Sequence, residues 1–172
     1  MRRREALKTL AAAAALPQVK PAVAVWKPKV LDAHQDRTVT ILAELIIPRT
    51  DTPGATDAQV NRYVDQMLAS YPVSRREGFL SGLAWLDGYC NNNHGAPFAD
   101  LSQEMQVQVL RALSTAGAAT ELGPGARFFR VIKGLASTGY YTSKVGLEEE
   151  LGWGKNPASE PPGCDHPEHG KR

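Results

Sequence analysis

Apolar side chains recur at intervals of three and four residues along most of this chain, which is the spacing of an α-helix that buries one face. Five stretches carry the pattern, and we find no sustained apolar–polar alternation of the kind that indicates β-strands. We therefore predict helices over about 36–47, from 56, from 74, from 102 and over about 126–137. The predicted fold class is all-α: a five-helix bundle with an extended, largely irregular C-terminal tail.

Polar residues before the apolar stretches indicate where the predicted helices begin. Thr56–Gln59 and Ser74–Glu77 have the form of capping boxes, in which the first side chain caps the helix and the last reaches back to it. Ser102 is a predicted N-cap for the fourth helix. Pro48 ends the first helix, and the asparagine-rich stretch 91–97 predicts a break after the third.

The N-terminus resembles a twin-arginine export signal, the address of bacterial proteins that cross the inner membrane already folded. Arg3-Arg4 is the twin pair, an alanine-rich apolar stretch follows from Thr9 to Leu16, and Ala22-Val23-Ala24 matches a signal-peptidase site. The apolar stretch falls short of the roughly 20 residues that span a bilayer. The alternative is a basic amphipathic helix that touches anionic lipid or a partner. A signal peptide predicts a periplasmic protein, membrane-associated only through its partners.

These features divide the chain into four predicted segments: a signal peptide at 1–24, a leader at 25–35, the helical bundle at 36–138, and a C-terminal docking segment and tail at 139–172. The last segment is rich in proline, glycine and charge and has too few apolar residues to pack on itself. Its aromatic residues Tyr140, Tyr141 and Trp153 are of the type that anchors protein interfaces. The alternative is that these rings close the core of the bundle.

The charge of the chain argues against a nucleic-acid partner. The formal net charge is +2. The predicted signal contributes five basic residues against one acidic residue, so the remainder carries 15 basic and 17 acidic side chains, a net charge of −2. A nearly neutral mature protein lacks the basic footprint of a nucleic-acid-binding domain.

Two cysteines, Cys90 and Cys164, leave three alternatives open in an oxidising compartment: a bridge between them, a bridge to another chain, or free thiols. Cys164 also lies close in sequence to His166 and His169, and zinc or copper accepts such ligands, with Cys90 and His94 as a second half-site. The alternative to this metal site is a solvated tail whose cysteine is a crosslink.

The chain lacks local signatures of catalysis and cofactor binding. It has no glycine-rich phosphate loop after a strand, no Gly-x-Ser-x-Gly, no Cys-x-x-Cys and no His-Glu-x-x-His. The acidic run Glu148 to Glu150 fans around a helical turn, so its carboxylates cannot share one site as general acid and base. We interpret the run as a solvated face or a contact with basic residues of a partner. We predict no catalytic residue and no cofactor in this chain.

Several stretches, in matching order along nearly the whole chain, resemble the small subunit of gluconate 2-dehydrogenase (subunit 3 family). They are the twin-arginine leader, Ala43–Pro48, Asp51–Ala55, Phe98–Ser102, Phe128-Phe129, Gly139–Gly146 and Pro162–His169.

The resemblance implies a non-catalytic partner of a periplasmic, flavin-dependent dehydrogenase of sugars or sugar acids. In such complexes a large subunit holds FAD and carries out the oxidation, and a cytochrome c subunit, where present, passes electrons towards the quinone pool. The large subunit typically has no export signal, which implies that the small subunit escorts it through the twin-arginine translocase. The residues we expect to contact the flavoprotein are Tyr140, Tyr141, Thr142, Ser143, Trp153 and Cys164.

Overall fold

Five α-helices and two short helical turns organise the part of the chain that the computed structural model describes, residues 26–117 and 119–153. The helices are α1 Ala33–Ile46, α2 Val60–Ser70, α3 Val73–His94, α4 Gln103–Thr115 and α5 Gly123–Tyr141. A 3₁₀ turn, Phe98–Asp100, precedes α4, and a π-helical turn, Gly146–Glu150, follows α5. Within these two ranges no β-strand occurs, and the predicted all-α fold class is confirmed.

Helix α5 is the central element of the bundle, because it contacts each of the other four helices and the π-helical turn. Its residues Ile132 and Tyr140 are buried among side chains of the core. Phe128 meets Phe79 of α3 edge to face, with ring centroids 5.3 Å apart. The apolar spacing read from the sequence therefore does mark the faces that the helices bury.

Two glycines of α5 let aromatic rings from neighbouring helices lie directly against its backbone. The ring of Trp85 on α3 packs on Gly125, and the ring of Tyr63 on α2 packs on Gly139. A Cβ atom on Gly139 would lie 2.6 Å from Cδ1 of Tyr63, which is far inside van der Waals contact. The packing of α2 and α3 on α5 thus requires glycine at both positions.

The two predicted capping boxes are wrong, and the helices they were meant to open begin elsewhere. Helix α2 begins at Val60 after Gln59, whose backbone is left-handed at φ 55° and whose side chain makes no cap. Helix α3 begins at Val73 after Pro72, again without a side-chain cap. The amide of Thr56 donates instead to a carboxylate of α1, so tertiary structure rather than the local sequence satisfies it.

A capping box does open α1. The Asp32 carboxylate accepts the amide of Gln35, and the Gln35 side chain accepts the amide of Asp32. The box starts the helix at Ala33, three residues before the predicted bundle boundary at 36. The predicted N-cap Ser102 is confirmed, since its hydroxyl accepts the amide of Met105 at 3.4 Å.

The break predicted at 91–97 begins later than expected. Residues 91–94 continue α3, and the helix ends at His94 with Gly95 in the left-handed conformation at φ 78°. The Asn93 side chain donates to the carbonyl of Tyr89 one turn earlier, which is compatible with the helix. Helix α5 likewise extends to Tyr141, past the predicted boundary at 138. Across the described residues, no helix has the length and apolarity to cross a bilayer.

Candidate partner-binding surface

The leader lies against α2 and is fixed there by one buried carboxylate. Asp65 is 1% exposed, and its Oδ1 accepts the amides of Val30 at 2.9 Å and Leu31 at 3.0 Å. Its Oδ2 accepts the amide of Lys29 at 2.7 Å. Because an extended segment cannot satisfy its own backbone donors, a charged acceptor is an effective substitute. The chain that follows the predicted signal peptide is thereby held on the folded bundle.

Sequence reasoning missed Asp65, although a signal was present. Asp65 lies next to Val64 and three positions before Leu68, and both of these apolar residues are buried. This spacing places Asp65 on the buried face of α2. An acidic residue within an apolar stripe must find hydrogen-bond donors when the stripe is buried. A second contact supports the same docking: the Arg62 guanidinium lies 5.2 Å from the centroid of the Trp26 ring.

The connection between α1 and α2, which we call the motif loop (residues 48–57), is organised by the Glu44 carboxylate. Its oxygens accept the amides of Arg49 at 3.0 Å and Thr56 at 2.9 Å. Burial alone would raise the pKa of Glu44, but the hydrogen bonds from the backbone and side chain of Thr56 and from the backbone of Arg49, together with the Arg49 charge, outweigh it, and the pKa lies below its ordinary value. A Cβ on Gly54 would lie 2.5 Å from Glu44 Oε1, so the loop closes only around a glycine.

Asp57 fixes the other side of the motif loop. It accepts the amide of Gly54 at 2.9 Å and forms an ion pair with the Arg49 guanidinium. Ala55 is buried beneath, and its amide donates to the carbonyl of Ile47 at 3.0 Å. With its amides satisfied from two carboxylates, the motif loop presents a defined surface.

The motif loop meets the C-terminal end of α5. The Tyr140 hydroxyl donates to the carbonyl of Pro53 at 2.7 Å, and the Thr52 hydroxyl donates to Glu150 Oε2 at 2.6 Å. These two bonds join residues that are 87 and 98 positions apart in the chain. The stretches Ala43–Pro48, Asp51–Ala55 and Gly139–Gly146, singled out in the sequence, therefore meet at one end of the bundle.

The structure corrects the prediction for Tyr140. Its side chain is 1% exposed and closes the core, which is the alternative considered for the aromatic residues, so it is not offered to a partner at the surface. Burial raises the pKa of its phenol. Thr142 and Ser143 use their hydroxyls within the chain, donating to the carbonyls of Thr138 and Tyr140, both at 2.7 Å. The Ser143 hydroxyl also accepts the amide of Gly146 at 3.0 Å and so shapes the turn.

Three apolar side chains at or after the end of α5 are exposed, and we refer to them as the C-terminal patch: Tyr141, Leu151 and Trp153, which are 43%, 58% and 71% exposed. They flank the acidic π-helical turn that contains Glu148 and Glu150. The Lys144 ammonium lies 3.9 Å from the Glu148 carboxylate, so both signs of charge occur beside these side chains. Large apolar side chains exposed at a surface and rimmed by charged residues are typical of protein-binding sites.

Cys90 is a buried free thiol of the core. Burial, assisted by the negative charge of Asp87, raises the pKa of this thiol to about 11. A disulfide or a metal bond at Cys90 would require opening the bundle, which counts against both the internal bridge and the half-site with His94. Within the described ranges no group of three or more His, Cys, Asp or Glu side chains is arranged to hold a metal.

Several predicted residues lie outside the described ranges. They are the export pair Arg3 and Arg4 and the candidate ligands Cys164, His166 and His169.

The comparisons with known proteins bear on the described bundle directly. The family model for gluconate 2-dehydrogenase subunit 3 matches residues 33–157. This range includes all five helices, the motif loop and the C-terminal patch. No curated protein and no solved structure gives a significant match.

Proposed function

The chain belongs to the gluconate 2-dehydrogenase subunit 3 family, and from this membership we propose that it is the non-catalytic small subunit of a periplasmic, FAD-dependent dehydrogenase complex. The flavoprotein subunit holds FAD and oxidises a sugar or sugar acid. This chain escorts the flavoprotein through the twin-arginine translocase and stabilises it afterwards. Where the complex includes a cytochrome c subunit, that subunit accepts the electrons.

The observation that carries the proposal is the family match over the entire bundle, together with the place where the family-like stretches meet. Hydrogen bonds join the motif loop to the end of α5 and to the turn that follows it, and the residues of the C-terminal patch belong to this same part of the chain. We assign the flavoprotein contact to Tyr141 and Trp153 of this patch. Thr142 and Ser143 follow Tyr141 directly, and their hydroxyls donate to carbonyls of α5.

The use of the acidic side chains supports an accessory role. Glu44, Asp57, Asp65 and Asp87 each accept at least one backbone amide, and these bonds hold loops and the leader in place. A general acid or base must have its proton-binding oxygen within reach of a substrate. Carboxylates whose oxygens already accept backbone amides are better suited to a structural role than to proton transfer.

The burial of Cys90 narrows the alternatives for the two cysteines. The chain has two cysteines, and Cys90 is sealed in the core. Of the three alternatives left open by the sequence, a bridge from Cys164 to another chain, or a free Cys164, is therefore favoured over a bridge to Cys90. This is consistent with Cys164 as a contact residue for the flavoprotein.

The escort role is tested by replacing the twin arginines. In cells that coexpress this chain and its leaderless flavoprotein, Arg3→Lys with Arg4→Lys should leave the flavoprotein in the cytoplasm, because cargo without a signal crosses only with its escort. The measurement is flavoprotein content and sugar-dependent dye reduction in periplasmic and cytoplasmic fractions. Arg2→Lys, which keeps the twin pair, is the matched control. Unchanged periplasmic activity in the double variant would refute the escort role.

The interface is tested by truncating the C-terminal patch. Trp153→Ala should weaken binding to the flavoprotein by about 30-fold, since an aromatic anchor of an interface is worth roughly 2 kcal/mol or more. The measurement is binding of the two purified subunits by calorimetry. Val73→Ala is the control, because Val73 is 56% exposed and lies outside the patch. Equal effects of the two substitutions would contradict the assignment.

A further inference from the structure

A groove of about 540 Å³ lies between α3 and α5 and shares no lining residue with the C-terminal patch. Four aromatic side chains and two arginines belong to its walls: Tyr71, Phe79, Trp85, Phe128, Arg75 and Arg127. The volume is in the range of pockets that hold ligands or peptide side chains.

The groove combines apolar surface with positive charge. The Arg75 guanidinium stacks over the Tyr71 ring at 4.0 Å from its centroid, and Val131 is exposed at the edge. In the part of the chain described here, no carboxylate forms an ion pair with Arg75 or Arg127. Two arginines beside aromatic walls favour an occupant that is apolar and rigid and carries negative charge.

The sequence of this chain contains a segment with those properties. Residues 160–168 read Glu-Pro-Pro-Gly-Cys-Asp-His-Pro-Glu, with three acidic residues and three prolines. Proline-rich segments favour the polyproline II conformation, which docks into aromatic grooves at a low entropic cost. We propose that in the free subunit residues 160–168 occupy the groove, with prolines on the aromatic walls and acidic side chains towards Arg75 and Arg127.

The length of the intervening chain permits this docking. Trp153 follows the turn at the end of α5, and the groove lies beside Phe128, which precedes Tyr141 by about 20 Å along the helix axis at the usual rise per residue. The chain from Trp153 to Pro161 spans about 25 Å when extended as polyproline II. The intervening chain is therefore long enough to cover the separation along α5.

This docking is a property of the chain alone and does not depend on the proposed function. It covers exposed apolar surface before assembly, and the flavoprotein would have to draw the tail away to reach Cys164. A label on Cys164 makes the docking measurable. Cys90 is sealed in the core, so a nitroxide reagent attaches at Cys164 in the native protein.

The experiment records amide spectra of the isolated full-length mature chain carrying the nitroxide at Cys164. We expect loss of peak intensity at Gly78, Gly82 and Val131, which line the groove. Arg75→Glu with Arg127→Glu should restore these intensities, and 1 M salt should restore them in part, because exposed charges are screened. Arg111→Glu, a charge reversal of an exposed residue outside the groove, is the matched control and should leave the loss unchanged.

Several results would overturn the inference. One is full intensity at the groove, and another is a loss confined to residues elsewhere, such as those around Leu45 and Leu110. The third is a loss that disappears when the chain that carries both the nitroxide and the isotope label is diluted with chain that carries neither. That result would mean that a second copy supplies the tail. A loss that persists in the double arginine variant would refute recognition by charge.

Discussion

Replacing Asp65 tests whether one buried carboxylate holds the leader on the bundle. In Asp65→Ala three backbone donors lose their acceptor. Each would cost roughly 1–3 kcal/mol if it stayed buried. The leader can instead detach, so that water hydrates its amides. Detachment regains backbone entropy of about 1 kcal/mol per residue, which offsets part of the loss. It also exposes Leu31, whose burial contributes about 2 kcal/mol. We expect a net loss of about 3 kcal/mol in the free energy of unfolding.

Asp65→Asn is the more selective substitution. Oδ1 accepts two amides in the wild-type chain, and the oxygen of asparagine can still accept both of them. The new NH₂ group replaces Oδ2 and faces the amide of Lys29, so two donors oppose each other. We expect a loss of about 2 kcal/mol, smaller than that of the alanine variant.

Urea unfolding measures both losses, and hydrogen exchange at the amides of residues 29–31 reports where they arise. Asp100→Asn is the control, because its ion pair with Arg37 is exposed and contributes at most about 1 kcal/mol. If Asp65→Asn behaves like Asp100→Asn and exchange at the leader amides is unchanged, the assigned role of Asp65 is wrong.

Three further predictions concern other parts of the chain. The pKa of Glu44 is below its ordinary 4.5, so its carboxylate stabilises the folded chain above that pH and loses this effect as the pH falls through the lowered folded value. Glu44→Gln should therefore flatten the decline in unfolding free energy between about pH 5 and about pH 3. An unchanged slope would contradict the assignment. Gly139→Ala should lower the free energy of unfolding by roughly 1–3 kcal/mol, because the new Cβ overpacks against the Tyr63 ring. Gly134→Ala, whose Cβ meets open space, should raise it by up to about 1 kcal/mol. Urea unfolding of both variants measures the difference, and equal effects would refute the close contact. With the pKa of Cys90 raised to about 11, a thiol reagent in reducing-agent-free native buffer should modify at most Cys164, and modification of both thiols before denaturation would disprove the burial.

The helices could be predicted because each buries one face. Val39 and Leu42, three positions apart in the predicted first helix, are both fully buried, and Val109 and Leu113, four positions apart on α4, are buried as well. Helical spacing of apolar residues reports burial directly, and it does not depend on which helices are neighbours.

The positions of the helix ends and of the candidate site depend on contacts between different helices, which the local sequence pattern does not reveal. The amide of Thr56 is satisfied by Glu44 from another helix, which no local pattern shows. Tyr140 and Tyr141 are adjacent, yet one is buried and the other exposed, because successive residues of a helix point about 100° apart. The predicted fifth helix ends at 137, so its helical spacing does not extend to Tyr140. Tyr140 lies four positions after the buried Ala136, on the same face of α5.

The composition of α5 has a consequence for how the chain folds. Four of its 19 residues are glycine, at 123, 125, 134 and 139. A glycine inside a helix is less favourable than alanine by about 1 kcal/mol, so the isolated segment has little tendency to be helical. The central helix must therefore acquire its order from the helices that surround it. Folding of the bundle is expected to be all-or-none, with no stable fragment that retains α5 alone.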